Sequence, residues 1–214
     1  MIREKQQYRA IEKVQFNFLS KNGKKYILQW DGEVRPFYTC GSQNHVIECL
    51  EVLEDSILIR PLSKKPGEPQ NLKEYNQKQR REPLNLRCNC HGFTFAHGKY
   101  FISNEFVGLI LEEEFNEVLD EKEIKSGAFD IVCFWDKDKK EWVHSCKYDY
   151  DLYIQKEGIR GFTVHTELEE ILQAEEYQHT VPHFFIRKQQ NCPGICLHAL
   201  GEEYKKTFTN SSFH

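Results

Sequence analysis

The chain reads as an α+β protein in which a cysteine-bearing helix packs on an antiparallel sheet, preceded by a small antiparallel β unit. Three observations predict this class. Residues 14–62 alternate apolar and polar side chains between turn signals, residues 63–83 are rich in breakers and charge, and residues 128–155 form an apolar run followed by a meander. The organisation expected is a β unit over 1–75, a linker over 76–83 and a second unit over 84–214.

In the first unit Val14, Phe16 and Phe18 share one face, and Tyr26, Leu28 and Trp30 do the same, which is the period of a half-buried strand. Asn22-Gly23 between them is a strong hairpin signal, and Asp31-Gly32 offers a second turn. Residues 46–53 and 56–62 are two further strands, parted by Glu54-Asp55. In the second unit residues 88–97 suit a short helix, and Phe106, Leu109 and Ile110 share a helical face. The acidic stretch 112–125 reads as loop with some helix. Residues 128–135 are apolar enough for a strand buried on both sides, 136–140 make a charged turn, and 141–148 and 152–155 complete an antiparallel meander. Leu168, Ile171 and Leu172 place a helix within 166–174, and 183–187 is a last strand.

Composition narrows the function classes. Hydrophobic residues make up 39% of the 214 positions and aromatic residues 13%, enough for a sizeable core rather than a disordered chain. The net charge is −4 and no sustained basic stripe appears, so nucleic acid is not an expected partner. The densest basic stretch, 77–87, reads as a solvated loop. No apolar run spans a bilayer, and residues 1–10 lack the apolar core of a signal peptide. The expectation is a cytoplasmic protein, or one exported by a route that needs no signal peptide. The eight cysteines, Cys40, Cys49, Cys88, Cys90, Cys133, Cys146, Cys192 and Cys196, are then expected as thiols.

A thiol attacks as thiolate, which a helix start and a neighbouring histidine both favour. Cys90 follows a loop and begins a compact apolar segment, and Gly92 leaves room near the sulfur. His144 lies on a strand directly behind the buried one, and Gln155, at the end of the next strand, is placed to hold its ring in one tautomer.

These residues carry a resemblance. Asn89-Cys90-His91-Gly92-Phe93 resembles the nucleophile motif of NlpC-like, papain-fold cysteine hydrolases. Phe129-Asp130-Ile131-Val132 is similar to the start of that family's buried strand, with Phe129 where glycine is usual. Val143-His144-Ser145 resembles its histidine strand, Ile154-Gln155-Lys156-Glu157-Gly158 an "SKxG" element of one branch, and the six residues from His183 a closing aromatic strand. The likeness covers about 84–190, with Asn89 where Asp is commoner and Gln155 where Ser stands. It implies a papain-like (NlpC-like) domain that cleaves an amide bond in a peptide or amide substrate. Cys90 would be the nucleophile, His144 the base and Gln155 the orienting residue, with no cofactor or metal. Acyltransferases, deamidases and non-catalytic interaction modules share such a fold.

Other readings compete. Cys133 and Cys146 sit in β runs and suit core thiols. Cys88 is a rival nucleophile without the following glycine, and His165 is a rival orienter. Cys88 and Cys90 with Cys192 and Cys196, or His91 and His198 as substitutes, make a weak zinc set, since a C-x-C pair is poor spacing. The sequon at Asn210 has no meaning without secretion. The acidic runs at 112–114 and 167–176 read as solvated faces.

Overall fold

The alternation in the first unit builds a hairpin. In the computed structural model, which describes residues 10–20, 23–39, 45–62, 69, 71–78, 84–188 and 198–199, β1 (Ile11–Leu19) pairs antiparallel with β2 (Lys25–Tyr38) from Ile11↔Glu33 to Leu19↔Lys25. Asn22 of the hairpin signal lies outside the described residues. On its other side β2 pairs first with β4 (Leu58–Pro61) and then with β3 (Val46–Val52). The turn expected at Asp31-Gly32 is not there. Both residues lie within β2, paired to Lys13 and Glu12, because β1 runs alongside and keeps the chain extended.

Part of the expected linker is helical. α1 (Leu72–Lys78) starts from Asn71, whose Oδ1 accepts from the Glu74 N–H at 2.9 Å while its Nδ2 donates to the Glu74 carboxylate at 2.9 Å. That is a reciprocal cap. Its one buried residue, Tyr75, packs edge-on against Tyr26 with centroids 5.2 Å apart. The helix's apolar contacts are only Tyr75 and the partly buried Leu72 one turn before it, too few for a period to read among the polar residues. Residues 79–83 lie outside the described residues.

The second unit runs α2 (Cys90–Phe95), β5 (Phe101–Ile102), α3 (Asn104–Glu114), β6 (Phe115–Val118), α4 (Glu121–Lys125), β7 (Ile131–Asp136), β8 (Glu141–Asp149), β9 (Leu152–Lys156), β10 (Phe162–His165), α5 (Leu168–Leu172) and β11 (Thr180–Arg187). A short β12 (His198–Ala199) adds to β2. The sheet order is β10-β9-β8-β7-β11-β6, with each neighbouring pair antiparallel. The protein is therefore α+β, built on two antiparallel sheets with short helices. β6 and β10 were not expected. Each has four residues, too few for a period, and each is extended because a neighbour supplies its ladder.

β7 is buried on both sides, as its apolar run requires. Ile131 and Cys133 join Phe95, Val107 and Ile110 on one face. Val132 and Phe134 join Cys146, Leu168, Ile171 and Tyr177 on the other. The first cluster also contains Phe37, Ile47 and Cys49 of the first sheet, and β5 pairs with β3 through Cys49↔Ile102. The composition break near 63–83 thus does not separate two cores. Among the described residues no helix is long and apolar enough to cross a membrane.

Candidate active site

Asn89 sets the start of α2. Its Oδ1 accepts from the Gly92 N–H at 2.9 Å and the Ile102 N–H at 3.1 Å, while its Nδ2 donates to the Ile102 carbonyl at 2.7 Å. An aspartate would supply the acceptor but not that donor, which gives the asparagine a reason to stand there. Gly92 has a different role from the one expected. A Cβ at this position would lie 1.6 Å from the Tyr100 carbonyl oxygen, so the glycine makes room for the backbone of 100 rather than for a group near the thiol.

Among the described cysteines, Cys49, Cys88, Cys133 and Cys146 are buried free thiols, and Cys90 alone keeps partial exposure. Its sulfur nonetheless sits deep enough that burial pushes the thiol up to about 11, against main-chain N–H groups of Ser145, His91 and Cys90 itself and the Lys156 charge, all of which favour the thiolate. The expected depression of the thiol is thus absent in this state. α2 has six residues and contributes little macrodipole, and desolvation outweighs the rest.

The expected hydrogen bond between Cys90 and His144 is absent as well. Successive strand residues face opposite sides. Ser145 faces α2, where its Oγ meets His91 Nδ1 at 2.9 Å, and His91 Nε2 meets Asn104 Oδ1 at 3.1 Å. His144 faces the other way, against Phe134 and Tyr177 with centroids 5.3 and 4.5 Å from its ring. Both its nitrogens are taken: Nε2 lies 2.7 Å from Gln155 Oε1, and Nδ1 3.2 Å from the Tyr177 hydroxyl.

Gln155 meets His144 as the strand pairing requires. Gln155 lies opposite Cys146, two residues along β8 from His144, so the three share a face. His165 is not an alternative to Gln155 but the next member of the same chain. Gln155 Nε2 lies 3.0 Å from His165 Nε2, and His165 Nδ1 lies 3.0 Å from Glu170 Oε2.

Two residues of the site went unread in the sequence. Tyr177 closes a 3₁₀ turn, Glu175–Tyr177, directly after the acidic run 167–176, whose composition reads as a solvated face. Lys156 follows Gln155 in β9 and is fully buried, with Nζ donating to the Gly158 and Arg160 carbonyls and so closing the turn before β10. Burial lowers it to about 8, while the nearby Cys88 and Cys90 thiols favour its charge. The readable signal was a lysine inside a strand, two residues before a glycine at positive φ.

The two buried histidines make the fold acid-sensitive. Burial lowers His144 to about 3 and His91 to about 4, from an ordinary 6.5. Between pH 6.5 and those values the unfolded chain binds more protons than the folded one, so stability falls as pH falls through that window. The expected result is a loss of several kcal/mol between pH 6.5 and 4, seen in urea unfolding at stepped pH. A flat profile over that range would show the rings are not buried neutral.

Among the described residues, no group of three or more His, Cys, Asp or Glu side chains is arranged to hold a metal ion. Cys192, Cys196 and Asn210 lie outside the described residues, as do the side chain of His198 and Cys40. Compared with protein-family models, curated proteins and solved structures, the chain matches none.

Proposed function

We propose that the chain is a papain-like, NlpC-type cysteine hydrolase that cleaves an amide bond in a peptide or amide substrate. Cys90 is the nucleophile, His144 the base and Gln155 the orienting residue. One observation carries this reading. Cys90, the one partly exposed residue among the described cysteines, begins a capped helix with main-chain N–H groups aimed at its buried sulfur, and that helix packs on the strand pair whose other face bears an oriented neutral imidazole.

In this reading Cys90 attacks the substrate carbonyl, and main-chain N–H groups, including that of Cys90, stabilise the oxyanion. His144 faces away from α2 in this structure, so in this reading its ring must turn, or a proton carrier must intervene, before it takes the thiol proton. It then donates the proton to the leaving amine and activates water against the thioester. The resting pair is thiol and neutral imidazole rather than an ion pair, in keeping with a thiol pushed up and a ring pushed down. Nδ1 is the free-base nitrogen for this task, and in the resting state it accepts from Tyr177.

Labelling the protein at pH 7 with a thiol-reactive acyl probe and mapping the product tests the reading. Cys90 is expected to carry the label, and Cys133 and Cys146, buried and raised further, to carry none. Equal labelling of all cysteines in the folded protein would reject Cys90 as nucleophile. Resolution of the labelled thioester by added amine rather than water would move the assignment to acyl transfer, and no labelling at all would favour a binding module.

A further inference from the structure

Glu170, at 47% side-chain exposure on α5, is joined to the buried His144 by an unbroken row of hydrogen bonds. We infer that the Glu170 carboxylate, acting through His165 and Gln155, sets the tautomer of His144 and so leaves Nδ1 as the basic nitrogen. Glu170 and His165 are then positioning residues for the base. The inference rests on the reading of His144 as base for its importance, but not for its test.

Each link forces the next. An ionised carboxylate only accepts, so His165 Nδ1 carries the proton toward Glu170 Oε2. In a neutral ring Nε2 is then an acceptor, and it faces Gln155 at 3.0 Å, which must present its NH₂ there. Thr163 Oγ1, 3.2 Å from the same nitrogen, donates to it as well. With the amide turned that way its oxygen faces His144 Nε2 at 2.7 Å and accepts, so Nε2 holds the proton. Nδ1 is left with its lone pair, to which the Tyr177 O–H donates at 3.2 Å in competition with the neighbouring Glu176 carboxylate. Thr166 Oγ1 donates to the second oxygen of Glu170 at 3.2 Å and holds the carboxylate in place. Gln155 alone cannot choose the tautomer, because an amide can turn over and offer either end. The carboxylate is the one member of the row that cannot reverse.

The test reads the ring nitrogens directly, by NMR of the full chain labelled with ¹⁵N-histidine near pH 7. His144 stays neutral there, since burial holds it far below that pH. In the wild type its Nε2 is expected to resonate as a protonated, pyrrole-type nitrogen and Nδ1 as an unprotonated, pyridine-type one. In Glu170→Ala the two resonances are expected to move toward each other as both tautomers become populated. Glu170 is exposed, so this variant should fold. Adding Gln155→Glu to Glu170→Ala places an acceptor-only group against Nε2 and is expected to restore the separation. A His144 tautomer unchanged in Glu170→Ala would overturn the inference, and so would a wild-type ring protonated at Nδ1. Either outcome is independent of the labelling of Cys90, so failure of the relay and failure of the hydrolase reading are told apart.

Discussion

Gly92→Ala is expected to destabilise the protein by about 4 kcal/mol or more, among the largest effects a single methyl group can have. The added Cβ would lie 1.6 Å from the Tyr100 oxygen, 2.7 Å from its carbonyl carbon and 3.1 Å from the Cys88 Cβ. The first two are backbone atoms, so no rotamer change relieves the clash. Tyr100 cannot withdraw freely, because the next two residues form β5, which Asn89 and β3 both hold. The Gly92 carbonyl also accepts from the Ala96 and Gly98 N–H groups, so moving α2 instead breaks its own C-terminal bonds. A midpoint lowered by roughly 10 °C in thermal unfolding is the expected readout. Gly161→Ala is the control: nothing lies within 4 Å of its added Cβ, and the change should stay within about 0.5 kcal/mol. If the two variants melt together, the close approach at Tyr100 is not a real constraint.

His144→Ala and Tyr177→Phe are expected to change the labelling rate of Cys90 in opposite directions. Removing His144 removes the proposed base, and on that reading the rate should fall roughly 10²- to 10⁴-fold, the usual contribution of general base catalysis. Removing the Tyr177 hydroxyl frees the Nδ1 lone pair that it now fills, so the rate should rise. Both variants lose stability, since each leaves a buried polar group without its partner, at a cost of about 1–3 kcal/mol. Structural damage alone would move both rates the same way, upward where it exposes the buried thiol, so opposite signs separate chemistry from damage. A fall in both, with the fold intact, would mean instead that the tyrosine hydroxyl carries the proton from thiol to ring.

These expectations draw unequally on sequence and structure. The strand pattern, the short helix at Cys90 and the pairing of His144 with Gln155 were legible because they depend on local rules. Alternation gives the face of each residue, and adjacent strands of a meander bring one face together. Phe162, Thr163, Val164 and His165 follow the same rule, yet β10 was missed because four residues carry too little pattern.

The sequence by itself determined an α+β chain, a partly apolar helix that opens on Cys90, and a strand pair that carries an imidazole and an amide. The tertiary structure alone decided what these groups meet. Whether the Cys90 thiol is lowered or raised depends on desolvation, which depends on everything packed around it, and here burial outweighs the N–H groups and the Lys156 charge. Which nitrogen of His144 is basic depends on Glu170, 26 residues further along the chain, through contacts that no local spacing encodes. Tyr177 reaches the ring from a segment whose composition reads as surface. A side chain's face is set by its own backbone, whereas its partner and its charge are set by segments distant in the chain that only the folded core brings together.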